Sequence, residues 1–258
     1  YNFTGVTIKA ATSELKGYGR AHGHGDTVRV LQVSGTGTTV HGLTLKMVHL
    51  AMDGVDRYGL PRQFTADWST TLVEVIGDGS TVKDCEFTTG GSYPYGYGDA
   101  FGKGGRPSDR DGNTNAAWID HRKQSGIRIG KGANGVTLEN VTLNMRSFGH
   151  GIFMQEGASD IVLRNCEVLG DEMASSNDVI AHPEYQKWGS ATYREKMPAN
   201  IHLAKHEDGI RVYGPGRDYG RITNVTIENC RVERMRDGLA TGDMGGALIV
   251  KDTEVYDC

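Results

Sequence analysis

A surplus of charge of either sign is missing from this chain. Its 258 residues carry 28 Lys and Arg against 32 Asp and Glu, a formal net charge of -4. The basic excess usual in nucleic-acid-binding or membrane-surface proteins is therefore absent. Long hydrophobic runs are lacking too. No window approaches the roughly eighteen apolar residues of a membrane helix, and Tyr1 opens into strand-like sequence without a charged-then-apolar leader, so the chain reads as mature, processed or a fragment. Cysteines number only 4, with no CxxC and no Cys/His spacing suited to zinc. There are 6 prolines and no Pro/Ser-rich linker, which favours a single domain over residues 1–258. Hydrophobic residues make up 37%, yet glycine alone contributes 37 positions. Few apolar residues with many turn formers argue against a helical bundle.

What is present is a repeat. Four stretches align when each starts at a glycine followed by an aliphatic residue: Gly126-Ile-Arg-Ile with Val136-Thr-Leu-Glu-Asn140, Gly151-Ile-Phe-Met with Ile161-Val-Leu-Arg-Asn165, Gly209-Ile-Arg-Val with Val225-Thr-Ile-Glu-Asn229, and Gly238-Leu-Ala-Thr with Leu248-Ile-Val-Lys-Asp252. Val73-Glu-Val with Val82-Lys-Asp84, and Val30-Leu-Gln-Val with Val40-His-Gly42, fit the same frame. Gly126 and Gly151 stand 25 residues apart, room for three short strands and their turns, and apolar and polar residues alternate at period two. One such unit cannot close a core. Stacked units form a continuous interior in which each strand pairs with its copies about 4.8 Å away. The pattern predicts an all-β, right-handed parallel β-helix of about seven coils.

Asn140, Asn165 and Asn229, with Asp84 and Asp252, share one turn position, where side chains can hydrogen-bond from unit to unit. Asn140-Val-Thr142 and Asn224-Val-Thr226 match glycosylation sequons but are read as this ladder chemistry. Cys85, Cys166 and Cys230 follow the ladder residue and should be small buried hydrophobes; a Cys166–Cys230 disulfide stays open. On these residues the chain resembles the parallel β-helix superfamily that includes pectate lyases and polygalacturonases. That resemblance implies a secreted, extracellular or periplasmic carbohydrate-active protein, with a polysaccharide lying along one face.

Irregular segments at about 46–70, 88–124 and 169–206 each follow the third strand of a unit, so all should rise from one edge and flank the strand that begins at the repeat glycine. On that strand the alternation turns Glu74, Arg128, Phe153, Gln155, Arg211 and Tyr213 outward. Guanidinium forks and flat rings suit an anionic sugar chain; an ordinary solvated sheet face is the alternative. Tyr93 and Tyr95, in a glycine-spaced aromatic run, could stack on sugars or pack within their own loop.

The residues before the repeat glycines, Ser125, His150, Asp208 and Asp237, are polar and should stack beside the loops. His150 in Gly149-His-Gly151 is similar to the Gly-His-Gly motif of polygalacturonases, and Asp208-Gly-Ile210 to their Asp-Gly-Ile element. In that family the aspartate motif comes first and an Asp-Asp pair lies between, whereas here Asp208 follows His150 and no Asp-Asp pair occurs. Lys205, His206, Glu207, Asp208 and Arg211 crowd bases, acids and a guanidinium into seven residues. Such crowding separates proton affinities.

Lytic cleavage of a uronate requires a cation for the enolate-like charge, Arg128 or Arg211, and a base, His150, Lys205 or His206, with Tyr213 as a candidate acid. Hydrolysis requires two carboxylates, for which Glu207, Asp208, Asp237 and Asp243 are candidates. A salt-bridged loop base without chemistry is the third option. Asp109, Asp111 and Asn113 alternate oxygen ligands around a glycine and could hold calcium; otherwise no cofactor is expected. The reading is thus a polysaccharide lyase on an anionic, uronate-containing polymer, with no nucleic-acid partner and no membrane span. A glycoside hydrolase and a non-catalytic, adhesin-like binding protein are the alternatives.

Overall fold

A computed structural model describes residues 1–2, 7–11, 28–48, 51–55, 61–63, 70–89, 124–147, 149–171, 174–175, 177, 181, 199–200, 202–203, 206–214 and 216–258. Among them are twenty-one strands. In the first half these are β1 (Thr7–Ala11), β2 (Val28–Val33), β3 (Thr39–His41), β4 (Thr44–Val48), β5 (Ala51–Val55), β6 (Pro61–Gln63), β7 (Thr70–Val75), β8 (Thr81–Thr88), β9 (Gln124–Ile129) and β10 (Thr137–Met145). There follow β11 (Ile152–Met154), β12 (Ser159–Arg164), β13 (Glu167–Gly170), β14 (Ala174–Ser175), β15 (His202–Leu203), β16 (Ile210–Tyr213), β17 (Thr223–Glu228), β18 (Arg231–Glu233), β19 (Leu239–Gly242), β20 (Leu248–Lys251) and β21 (Glu254–Tyr256).

The protein is all-β, with two long parallel sheets. A six-stranded sheet runs β2-β7-β9-β11-β16-β19. An eleven-stranded sheet follows the path β1-β4-β8-β10-β12-β17-β20, extended by β3, β13, β18 and β21. From β7 onward the chain alternates between the sheets, entering the six-stranded one once per repeat, which is compatible with a β-helix. The antiparallel pairs β5–β6 and β14–β15 lie within the first and third expected insertions. The boundaries of those insertions are tighter than the sequence suggested, because residues 46–48 still pair as β4 and 169–170 as β13. The insertions leave after the register-neighbouring ends of β4, β8 and β13, and the chain re-enters the six-stranded sheet after each one. Among the described residues no helix is long and apolar enough to cross a membrane.

Side-chain alternation builds the core between the sheets. In β10 Leu138, Val141, Leu143 and Met145 are fully buried while Thr137, Glu139, Thr142 and Asn144 are not. Burying one such side chain contributes about 1.5–3 kcal/mol. Asn140 interrupts the period at φ 51°, and Asp84, Asn165, Asn229 and Asp252 adopt the same left-handed backbone, φ 48–53°. Asn and Asp tolerate that region better than other side-chain-bearing residues. Asn140 Nδ2 donates to Asp84 Oδ1 at 2.8 Å, and Asn165 Nδ2 to Asn140 Oδ1 at 3.0 Å, so the expected ladder forms across these three positions. A second column forms where Asp160 accepts from Asn134 at 3.1 Å and from Asn224 at 3.0 Å. Cys85, Cys166 and Cys230 are buried behind the first ladder. All are free thiols, so the Cys166–Cys230 disulfide left open by the sequence is not formed.

Candidate functional site

The repeat glycines determine what faces away from the core on the six-stranded sheet. A Cβ at Gly126, Gly151, Gly209 or Gly238 would overlap Leu143, Val168, Val232 or Val255 of the opposing sheet. The glycine and the aliphatic residue after it, such as Gly151 and Ile152, thus both pack inward. The residues on either side of this inward pair, three apart in sequence, then share the outer face. The amides of Gly126, Gly151 and Gly209 donate to the carbonyls of His150, Asp208 and Asp237 at 2.9, 2.9 and 2.7 Å. That register aligns Ser125, His150, Asp208 and Asp237 in one row. Gln32, Glu74, Arg128, Phe153, Arg211 and Ala240 form the second row.

Where the two rows meet, His150 is the hub. Its Nδ1 lies 3.2 Å from Asp208 Oδ2 and its Nε2 3.3 Å from Glu207 Oε2. Arg211 Nη1 donates to Nε2 at 2.7 Å. A guanidinium can only donate, so Nε2 must offer its lone pair, and the imidazole hydrogen sits on Nδ1 facing Asp208. Phe153 flanks the ring at a centroid distance of 5.6 Å. Arg236 pairs with Asp208 Oδ1 and, 3.0 Å away, with Asp237. His150, Glu207 and Asp208 are 5%, 0% and 3% exposed, whereas Tyr213 is 40% exposed and lies 5.0 Å beneath the Arg211 guanidinium. Burial raises the Asp208 carboxyl, but the imidazole of His150 beside it and the positive charge of Arg236 outweigh it and hold the group well below the ordinary carboxylate range.

A second cluster occupies the other end of the face. Glu74 pairs with Arg29, with Arg128 Nη2 at 2.5 Å, and accepts from Gln32 Nε2 at 2.8 Å. Both Glu74 and Arg128 are buried, although the alternation alone suggested solvated positions. Burial lowers the Arg128 guanidinium from its usual value while Glu74 opposes the shift. Covered charges on this scale need partners, and Glu74 supplies one to two arginines.

The remaining expected site residues separate. His206 is buried and directed away from the His150 cluster: its Nδ1 donates to the Ser147 carbonyl at 2.8 Å, and its Nε2 meets the Asp171 amide at 3.1 Å and carboxylate at 2.7 Å. It thereby ties together residues 171 and 206, the two ends of the third insertion. Gln155 is half-buried; Asp237 and Asp243 are exposed. Lys205, Tyr93, Tyr95, Asp109, Asp111 and Asn113 lie outside the described residues. Among the described residues no group of three or more His, Cys, Asp and Glu is arranged to hold a metal. Around His150 the cationic places are taken by Arg211 and Arg236.

Sequence reasoning missed Arg236 and Arg29. Arg236 was legible in part, since it stands two residues before a repeat glycine, as Glu207 does, and its amide donates to the Glu207 carbonyl at 3.1 Å. The chain matches no protein-family model, and no curated protein is similar to it in sequence.

Proposed function

We propose that the chain is a single right-handed parallel β-helix domain, secreted to an extracellular or periplasmic space, that cleaves a uronate-containing polysaccharide by β-elimination. The observation that carries this reading is the His150 constellation: an imidazole with Nδ1 3.2 Å from Asp208 and a partly exposed arginine at Nε2. In the proposed reaction His150 Nε2 removes the proton from the sugar carbon bearing the carboxylate. The released electron pair forms a carbon–carbon double bond and the neighbouring C–O bond breaks. The leaving oxygen takes a proton, for which Tyr213, stacked under Arg211, is the candidate donor. Arg211 binds the sugar carboxylate and offsets the negative charge that grows on it; such a group is worth roughly 10²–10³ in rate. Glu207 then faces the imidazolium.

Arg128, which the sequence offered as a second neutraliser, is committed to Glu74, so Arg211 alone takes that role. Hydrolysis is less well supported. It needs two carboxyl groups about 6.5–9.5 Å apart for inversion, or about 5–5.5 Å for retention, both open to the sugar. Glu207 and Asp208 are instead buried against one imidazole. Incubation with a panel of uronate polymers tests the reading through the ultraviolet absorbance of an unsaturated product, which His150→Asn should abolish. Reducing ends without absorbance would indicate hydrolysis, and binding without turnover a non-catalytic protein.

A further inference from the structure

We propose that Arg211 caps the proton-abstracting nitrogen of His150, and that the carboxylate of an acidic sugar is what draws the cap away. The inference rests on the elimination reading above and assigns the residue that restricts it to acidic sugars. Nε2 cannot accept a substrate proton while Arg211 Nη1 donates to it at 2.7 Å. The free site thus keeps the base in the required tautomer, with Nδ1–H toward Asp208, but with its lone pair occupied.

Arg211 is also better able to move than the imidazole and the two carboxylates beside it. Its side chain is 27% exposed, against 6% for His150, 4% for Asp208 and 0% for Glu207. Its other link, from Nε to Asp208 Oδ2, is long at 3.9 Å. Its guanidinium lies over Tyr213, which opens to solvent and provides a flat track outward. A sugar carboxylate arriving over that ring exchanges one hydrogen bond to a neutral nitrogen for a bidentate, charge-assisted pair, roughly twice as strong per bond. A neutral sugar offers no such exchange.

One movement therefore has two effects: it uncovers Nε2 and carries positive charge to the carboxylate on which the transition-state charge develops. With Arg211 withdrawn, Glu207 Oε2 at 3.3 Å is the partner for the hydrogen that Nε2 acquires. Discrimination against neutral sugars then arises at the base itself, even when such a sugar occupies the face.

The test is nitrogen NMR of the full chain with labelled histidine, using His150→Asn to identify the His150 resonances. In the free protein Nδ1 should be protonated and Nε2 a hydrogen-bond acceptor. Galacturonate or glucuronate should move Nε2 downfield toward an unbonded imine nitrogen, and galactose or glucose at equal concentration should not. Arg211→Met should show the unbonded position without sugar, while Arg211→Lys, which can still donate, should retain the capped one. An Nε2 unmoved by both uronates, equal responses to acidic and neutral sugars, or an Arg211→Met spectrum coinciding with wild type would each overturn the proposal. A uronate-specific response without unsaturated product from any polymer keeps the cap and rejects the elimination. Product formation with an unresponsive Nε2 does the reverse.

Discussion

Replacing Arg236 by methionine removes the cation between Asp208 and Asp237 while preserving most of the side-chain volume. Among the described residues, the nitrogen partners left to Asp208, 3% exposed, would be His150 at 3.2 Å and the distant Arg211 Nε at 3.9 Å. Breaking a fully buried ion pair by deleting one partner costs about 3–5 kcal/mol. Arg236 is itself 28% exposed, and water can reach the space it leaves, so the expected loss is about 2–3 kcal/mol. Urea denaturation followed by far-ultraviolet circular dichroism measures it as a lower midpoint at unchanged slope. Arg236→Lys should recover part of the loss.

The pH dependence has a definite sign. Asp208 has a folded-state proton affinity below that of the unfolded chain. Its stabilising contribution is complete above the unfolded carboxyl value of about 3.9 and is lost as pH falls through the lower folded value. The gap between wild type and Arg236→Met should therefore be widest near neutrality and narrow below about pH 4. Coincident midpoints at neutral pH, or a gap that widens on acidification, would refute the assignment of Arg236 as the partner that makes a buried Asp208 carboxylate tolerable.

Gly209→Ala should cost about 1–3 kcal/mol by overpacking, read from the urea midpoint, because its Cβ would overlap Val232 and meet the Gly238 carbonyl at 2.9 Å. Asn165→Ala should lower the thermal midpoint by an amount equivalent to about 1–2 kcal/mol, since it loses the bond to Asn140 and leaves alanine at φ 53°; Asn165→Gly should be milder because glycine accepts that φ. Thiol titration should find Cys258 reactive in the folded chain and Cys85, Cys166 and Cys230 only after denaturation. Burial raises the Cys85 thiol, and for Cys166 the adjoining Cys230 thiol, followed by burial, does the same.

Much of the architecture was readable from the repeat because its cause is local. Alternation such as that of Leu138, Val141 and Leu143 specifies which face is buried, and only Asn, Asp or Gly sit easily at left-handed corners such as 84, 140 and 165. The polar position before each repeat glycine likewise brought His150, Asp208 and Asp237 into one row. Arg128 shows where that logic ends. Period two turns it away from the core, yet it is buried against Glu74, because solvent access depends on more than the residue's own strand. His206 ends differently again: a base two residues from Asp208 in sequence turns to Ser147 and Asp171 rather than joining the His150 cluster.

From the sequence alone came the strands, their parallel stacking, the ladder corners and the row of polar residues before the repeat glycines, since each follows from residue type at a fixed spacing. Only the tertiary structure decided which charges meet. The pairing of Arg211 with His150, of Arg236 with Asp208 and of two arginines with Glu74 joins residues from different repeats, and a hydrogen bond depends on ångström distances that periodicity does not carry.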